Sequence, residues 1–384
     1  MRIAFHAPRA SHLRAGASGD RIFVGALLSA LRERGHEVEI VSRVNVRDYW
    51  RGRIPARRLI GEAVSVHRRM RRFAPDAWLI YGPSARTPDL FGWWQRPKRY
   101  VLFAADGGTG KRLPRRWRWL FVRAHRRSLR RADKAVAYRP ASADDLRSLG
   151  VPARRVAVLP LAIRLWDELP SREAARARLQ LPQSASVALC ASRLTPMRQD
   201  GKLGKTEAVL ALLDALATAR ASVVLALVGE GPGRGDVERR VAELDLGEQV
   251  RLVGLVEHAE MRWYYAASDF LAYASFVDRP WLTVLEAQAS GRPVVTMRTR
   301  SAELTVDAGR TGLLAADLDE FRAHVLLLAT DRDLCRSLGE AARSYAARCH
   351  SLETRIRQIE TLLRPGEIPP HEKVVSSYGE GSIG

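Results

Sequence analysis

Apolar residues in the N-terminal part of the chain follow two different periodicities. Residues 2–7 form a short apolar run with a β-branched centre, which is typical of a buried strand. Apolar side chains then recur at helical spacing from Ile22 to Leu31, and Gly35 is placed to end that helix. Glu37–Ser42 predicts a second strand. This strand–helix–strand order predicts a parallel sheet with helices packed on its faces.

The same alternation continues and then begins again. Further strands are predicted near 77–81, 99–104, 134–138 and 155–159, after which the Pro-punctuated stretch 159–182 breaks the pattern. A second series starts at position 187, and its predicted strands are 186–191, 223–228, 250–253, 270–274 and 293–296. We therefore predict an α/β fold of two Rossmann-like, doubly wound domains that face each other across a ligand cleft.

These patterns predict five segments along the chain. The N-terminal Rossmann-like domain covers residues 1–163, a linker covers 164–182, and the C-terminal domain covers 183–347. A C-terminal helix over 348–364 either stays with the second domain or crosses back to the first. The polar, Pro- and Gly-rich tail over 365–384 is expected to be disordered.

Composition places the chain among ordinary globular proteins. Hydrophobic residues make up 46% and charged residues 27%, and no apolar stretch has the length of a transmembrane helix. The three cysteines, Cys190, Cys335 and Cys349, are widely spaced, which indicates reduced thiols and neither a disulfide framework nor a zinc site. The N-terminus lacks the pattern of a secretory signal. We expect a cytoplasmic protein without a bound metal.

The formal net charge of +21 changes this picture because it is clustered. Residues 43–73 carry ten arginines, and residues 111–134 carry eleven lysines and arginines. Such clusters attract phosphate-bearing partners, although a compositional bias toward arginine is the alternative explanation. Residues 117–134 fit either a helix at the inner face of an anionic membrane or a solvated helix packed on the sheet. No nucleic-acid-binding motif is present, so we expect no nucleic acid partner.

One segment, residues 267–296, carries the most specific chemistry. Asp278 and Glu286 are separated by seven residues, and a helix is predicted to begin at Leu282 and Thr283. The free backbone N–H groups of a helix start suit a phosphate, and a carboxylate one turn further can accept hydrogen bonds from ribose hydroxyls. Taken by itself, the pair could also be two unrelated surface carboxylates.

In this segment and elsewhere the chain resembles the retaining GT-B glycosyltransferases of family 4 (glycosyl transferases group 1). The family's second glutamate and the EAxAxGxPVV motif correspond to the EAQASGRPVV sequence that begins at Glu286. Other matches, in the family's order, are RERGHEV at 32–38, VGEGP at 228–232, VRLVG at 250–254, AASD at 266–269 and GRTGLL at 309–314. The resemblance spans roughly residues 2–350, and it implies an N-terminal acceptor domain and a C-terminal donor domain.

The resemblance also implies roles for individual residues. Arg193 and Lys205, or Lys202 in place of Lys205, would neutralise the donor diphosphate. Glu286 would hold the ribose, and Asp278, where the family has glutamate, would face the sugar. The remaining positions implied to bind the nucleotide sugar are Gly16, Gly19, Gly229, Glu230, Leu255, Val256, Leu282 and Thr283.

The chain departs from the family pattern at two places. Trp281 stands where the family has a glycine, and the fourth strand of the first domain is not followed by the family's histidine. Asp106 is the polar residue best placed to substitute for it, with His6 and His12 as alternatives. The DxD-like pairs beginning at Asp317 and Asp331 are expected to lie at helix starts and not to bind metal.

The resemblance implies an enzyme that transfers a hexose or related sugar with retention of configuration, without a metal or other cofactor. The donor would be a UDP- or GDP-linked sugar and the acceptor a glycan or lipid-linked molecule, in bacterial surface polysaccharide or glycolipid synthesis. Peripheral contact with an anionic membrane would accompany this role. The departures at Asp278 and Trp281 leave open an alternative: a non-catalytic GT-B homologue that acts as a binding or scaffolding partner.

Overall fold

The structure is a computed structural model that describes residues 1–9, 19–95, 97–105, 113–196, 204–219, 223–273, 275–276 and 282–364. Two compact units are present. Unit 1 consists of Met1–Leu161 and the C-terminal segment from Leu352, and unit 2 consists of Ala162–Ser351. No helix in these described ranges is long and apolar enough to cross a membrane.

The described residues form strands and helices in regular alternation. The strands are β1 (Arg2–His6), β2 (Glu37–Ser42), β3 (Ala77–Tyr81), β4 (Arg99–Phe103), β5 (Lys134–Ala137), β6 (Val156–Val158), β7 (Ser186–Ala191), β8 (Val223–Val228), β9 (Val250–Gly254), β10 (Phe270–Tyr273), β11 (Val294–Met297) and β12 (Gly312–Ala315). The helices are α1 (Gly19–Glu33), α2 (Val46–Trp50), α3 (Ala56–Phe73), α4 (Arg115–Arg131), α5 (Pro140–Ser148), α6 (Arg172–Arg178), α7 (Lys205–Ala219), α8 (Arg234–Glu243), α9 (Met261–Ala267), α10 (Leu282–Ala289), α11 (Arg300–Glu303), α12 (Leu318–Thr330), α13 (Arg332–Cys349) and α14 (Leu352–Leu363).

Unit 1 is built on a six-stranded parallel sheet in the order β2-β1-β3-β4-β5-β6. Every residue of β3 is buried, as expected for a strand covered on both faces. Helix α14 belongs to this unit. Its Glu360 accepts hydrogen bonds from Arg34 at 2.7 Å and His36 at 2.8 Å, and Arg34 is the main reason that the pKa of Glu360 is lowered.

Unit 2 repeats this architecture with a second six-stranded parallel sheet, in the order β12-β11-β10-β7-β8-β9. One face of the sheet packs on α7 and α12, and the other packs on α9 and α10. Along β8 the side chains alternate between these two cores, so that the whole strand is buried. Strands β8 and β9 lie on one side of β7, and β10, β11 and β12 lie on its other side, so the strand order reverses between β7 and β10.

The segment predicted as a linker, residues 164–182, contains a helix that its proline pattern did not indicate. Helix α6 starts after Ser171, whose side chain caps Ala174 N, and it lies within unit 2. Arg176 on this helix is fully buried and donates to Asp269 at 2.7 Å and to the carbonyls of Ala185 and Ala267. These bonds fix α6 to the sheet. The predicted tail over 365–384 lies outside the described residues.

Candidate functional site

The edge of the unit 2 sheet where β7 and β10 end brings a cluster of polar side chains together. Arg193 follows β7 in an exposed loop, Lys205 is the first residue of α7, and Tyr273 is the last residue of β10. Lys205 Nζ donates to the Tyr273 hydroxyl at 2.6 Å and lies 4.9 Å from the centre of its ring. In open α/β sheets, the point where the strand order reverses is where ligands bind.

The electrostatics of Lys205 favour an anionic ligand. Burial lowers the pKa of its ammonium group to about 8, the nearby Cys190 opposes the shift, and the positive charge of Arg193 adds to it. Two cations are therefore held close enough to repel each other at a partly desolvated position. A bound anion would relieve that repulsion and restore the pKa of Lys205 toward its ordinary value.

Two glycines allow the loop that carries Arg193 to pack closely against the neighbouring turn. Gly229 and Gly231 have φ of +136° and +159°, and a Cβ atom on either would overlap a backbone carbonyl of the loop, at Ser192 and Leu194 respectively. Backbone hydrogen bonds join Ser192 N to Val228 O at 2.9 Å and Leu194 N to Glu230 O at 3.1 Å. The turn after β8 thus positions Arg193 through its backbone.

We expect Gly229→Ala to destabilise the protein by about 2 kcal/mol, because the added methyl group strains the backbone and collides with Ser192. The matched control is Gly235→Ala in α8, where a Cβ atom would meet open space and alanine favours the helix. Chemical denaturation of both variants checks the prediction. Equal stabilities would show that the loop and the turn do not require this close approach.

Glu286, on the second turn of α10, is buried, and each of its carboxylate oxygens has one neighbouring partner. Its Oε1 lies 2.8 Å from His258 Nε2, and its Oε2 accepts a hydrogen bond from the Tyr265 hydroxyl at 2.8 Å. The hydrogen bond to Glu286 raises the pKa of His258, whose ring also packs on Trp166 at a centroid distance of 5.4 Å. A carboxylate has about four lone-pair sites, so it can accept further donors.

Two buried tyrosines each bond to one charged group of the site. Burial raises the pKa of Tyr265 well above its ordinary value, and both Glu286 and Tyr273 add to this shift. Tyr273 in turn accepts the hydrogen bond from Lys205. Tyr265 and Tyr273 pack in the same buried core of unit 2, so Glu286 and Lys205 each bond to a tyrosine of that core.

The residues that the resemblance places around the nucleobase of the donor follow β8 and β9. Glu230 forms an ion pair with Arg234 at 2.5 Å on the surface, and Gly254 has a φ of +85° beside it. Leu255 is 76% exposed, and Val256 is half-buried against the core. The exposed Leu255 side chain beside this glycine turn offers an apolar surface on which a nucleobase ring can pack.

The helix start predicted near Leu282 is confirmed, since α10 begins there with Leu282 buried and Thr283 half-buried. Gly19 is the first residue of α1, and His6 ends β1 fully buried beside Phe91. The DxD-like aspartates lie at helix starts as predicted: Asp317 caps α12 and Asp331 caps α13. Six residues singled out in the sequence lie outside the described ranges, namely Gly16, His12, Asp106, Lys202, Asp278 and Trp281.

The sequence did not reveal three polar residues of this site, His258, Tyr265 and Tyr273. Each contacts a partner distant in the chain, so no local spacing marks it. Tyr273 carries the one usable signal, because a tyrosine at the end of an apolar strand places a hydroxyl at the carboxyl edge of the sheet.

Comparison with known proteins finds matches to both halves of the chain. Residues 187–331 match the family model described as "Glycosyl transferases group 1", and residues 18–162 match one described as "Glycosyl transferase 4-like domain". D-inositol 3-phosphate glycosyltransferase from Streptomyces avermitilis is 32% identical over 225 residues, which cover 56% of this chain and 48% of the relative. That from Corynebacterium jeikeium is 33% identical over 181 residues, covering 46% and 43%. The alignments thus span about half the length of these curated relatives.

Solved structures resemble the chain over nearly its whole length. Anabaena HepE, in complex with UDP, is 18% identical with a TM-score of 0.70, and the match covers 94% of this chain and 98% of HepE. Sucrose-phosphate synthase from Thermosynechococcus elongatus is 19% identical with a TM-score of 0.68 and the same coverage. With the two parallel six-stranded sheets, these neighbours confirm the predicted α/β GT-B fold.

Proposed function

The chain belongs to the glycosyl transferases group 1 family, and on that premise we propose that it transfers a hexose or related sugar from a nucleotide diphosphate donor to an acceptor hydroxyl. The observation that carries this proposal is the pairing of cations and a carboxylate within unit 2. Arg193 and Lys205 lie at the sheet edge where the strand order reverses, and Glu286 is held in the same unit by His258 and the buried Tyr265.

Each group has a role in this proposal. Arg193 and Lys205 hold the donor diphosphate and stabilise the charge that develops as it leaves. The tip of α10, with Leu282 and Thr283, adds backbone N–H donors to the phosphates. Glu286 accepts hydrogen bonds from the ribose while His258 and Tyr265 keep its carboxylate in place. The backbone at Gly229, Glu230, Leu255 and Val256 borders the base.

We propose retention of configuration without a metal ion or a covalent protein intermediate. The acceptor oxygen forms a bond to the anomeric carbon as the bond from that carbon to the leaving phosphate breaks, and the hydroxyl proton passes to this phosphate on the same face of the sugar. The protein's part is to position both groups and to stabilise charge. The roles that the resemblance implies for Asp278, Asp106, Gly16 and Gly19 stay predictions of this proposal.

A UDP-linked donor is the first to test, with a GDP-linked donor second. The structural neighbour HepE has been solved with UDP and with UDP-glucose, which supports this order. For the acceptor we propose a glycan or lipid-linked molecule of bacterial surface polysaccharide or glycolipid synthesis. The curated relatives are named for D-inositol 3-phosphate, which supports including a phosphorylated polyol among the acceptors tested.

The assay measures release of UDP or GDP from nucleotide sugars, with and without these acceptors. Donor-dependent release that is lost in a Glu286→Ala variant would support the proposal. Neither binding nor release with any donor would contradict it. Donor binding without turnover for any acceptor would favour the non-catalytic scaffold, which the substitutions at Asp278 and Trp281 motivate.

We also propose that α4 makes a peripheral contact with an anionic membrane, at the cytoplasmic face of the cell membrane. The helix carries no acidic residue, and a groove of about 720 Å³ along it is lined mainly by arginines. Trp119 is 70% and Leu120 is 43% exposed beside these charges. Exposed aromatic and basic side chains on one helix suit the headgroup region of a bilayer.

Removing two of these charges should weaken binding to anionic vesicles. We expect Arg126→Gln/Arg130→Gln to reduce partitioning into phosphatidylglycerol-containing vesicles about 30-fold, since each of the two basic residues near the surface contributes about 1 kcal/mol. Sedimentation with vesicles measures this. The control Arg310→Gln/Arg348→Gln removes the same charge from exposed positions of unit 2. An equal loss in both variants would show that net charge, and not α4, determines binding.

A further inference from the structure

A second basic cavity lies at the opposite edge of the unit 2 sheet from the proposed donor site. It has a volume of about 450 Å³ and borders Ser186 at the start of β7, Asp269 before β10 and the turn before β11. The amino ends of these strands therefore surround it, whereas the carboxyl ends carry Arg193 and Lys205. Five arginines line this cavity, here called the arginine pocket: Arg172, Arg292, Arg332, Arg336 and Arg343.

The carboxylates of the arginine pocket offset only part of this charge. Asp269 and Glu340 are its two acidic lining residues. Asp269 is already held by Arg172 at 3.1 Å and by the fully buried Arg176 at 2.7 Å, and it also accepts a hydrogen bond from Val187 N at 2.7 Å. Glu340 is exposed to solvent. Asp333 also pairs with Arg336 at 3.5 Å. Five arginines against these three carboxylates leave the pocket positively charged.

Two of the arginines have bonding capacity to spare. Arg292 donates through Nη2 to Ala266 O at 3.3 Å, but its Nε is buried without a hydrogen-bond partner among the described residues. Arg343 is exposed, and no carboxylate of the described residues lies within 4.0 Å of its guanidinium group. A buried donor without an acceptor is unfavourable, and an oxygen-rich anion in the pocket would satisfy it.

We propose that the arginine pocket binds a small phosphate-bearing anion with at least two negative charges. Guanidinium groups match phosphate oxygens with paired hydrogen bonds, which favours this ligand class at a site built from arginines. The volume falls in the range of small-molecule sites and exceeds what a single orthophosphate fills. The ligand is either a soluble phosphorylated metabolite or a phosphate-bearing lipid headgroup, since both present the same group.

The test is a titration of the full chain with pyrophosphate in which isothermal titration calorimetry measures binding. Because pyrophosphate should also bind at the proposed donor site, the titrations are made in an Arg193→Ala/Lys205→Ala background. We expect one binding site to remain there, and Arg336→Gln/Arg343→Gln to weaken it at least tenfold. Both of these arginines are exposed, so the fold should tolerate their replacement. Arg292→Gln is a second variant, for which thermal denaturation checks folding.

The control is Arg310→Gln/Arg348→Gln, which removes two charges from exposed positions outside the arginine pocket. Equal weakening by the control, or no binding in the background variant, would overturn the proposal. Sedimentation with phosphatidic acid vesicles then separates the two sources, and it is made in an Arg126→Gln/Arg130→Gln background because α4 is itself proposed to bind anionic membranes. Loss of vesicle binding in the pocket variants assigns the phosphate to a lipid headgroup, and its persistence assigns it to a soluble ligand. Failure of the proposed donor site would appear separately, as loss of the pyrophosphate binding that depends on Arg193 and Lys205.

Discussion

Replacement of Glu286 by glutamine is expected to raise the KM for the nucleotide sugar about 100-fold while the protein remains folded. The change keeps the size of the side chain but removes its charge, so the hydrogen bonds that ribose hydroxyls donate to it weaken. A hydrogen bond to a charged group contributes about 1.5–3 kcal/mol, and every 1.4 kcal/mol corresponds to a tenfold change. Steady-state kinetics of donor turnover measures the effect.

Two features of the structure make this variant informative. Glutamine can still accept one of the hydrogen bonds from His258 and Tyr265, so the buried network is weakened but not emptied. The control, Glu248→Gln, makes the same chemical change at an exposed position. A KM for Glu286→Gln within a factor of two of the control would mean that the carboxylate serves the packing of α10 and does not bind the donor.

The sequence predicted the fold where hydrophobic runs are long and clean. Strands such as β3 and β8 are buried on both faces, so they appear as short continuous apolar segments, which are typical of a covered parallel sheet. The pattern failed where elements are short. Strand β12 has four residues after a glycine turn, and α6 has seven between prolines, so neither is long enough to show a period. Tertiary contacts, such as those of Arg176, stabilise α6 instead.

The candidate site could be predicted in part, for a related reason. Glu286 and the start of α10 lie within a single segment of the sequence, and Arg193 and Lys205 are twelve positions apart. Their partners come from elsewhere: Lys205 bonds to a residue 68 positions away, and Glu286 to residues 21 and 28 positions away. Only the strand order, which places β10 beside β7, brings these groups together. The spacing of these residues along the chain does not indicate the strand order.

Loss of the positive charge at Lys205 should have the largest effect on turnover. We expect Lys205→Met to lower kcat about 10²- to 10³-fold, because removing one preorganised group that stabilises developing charge has effects of that size. Methionine keeps much of the length of the side chain and leaves the Tyr273 hydroxyl without its donor from Lys205. Lys205→Arg retains the charge and should preserve more activity, although its planar group cannot reproduce the same contact.

The pH dependence separates a charge at Lys205 from a purely structural lysine. In the free protein the pKa of Lys205 is lowered to about 8, so its ammonium group is charged below that pH and neutral above it. If the charge holds the diphosphate, kcat/KM for the donor should fall about tenfold per pH unit above pH 8. The bound diphosphate raises the pKa of Lys205, so kcat should begin to fall at a higher pH than kcat/KM. Lys205→Arg should remove the fall altogether because arginine stays protonated there, and a profile for this variant that still breaks near pH 8 would assign the titration to another group.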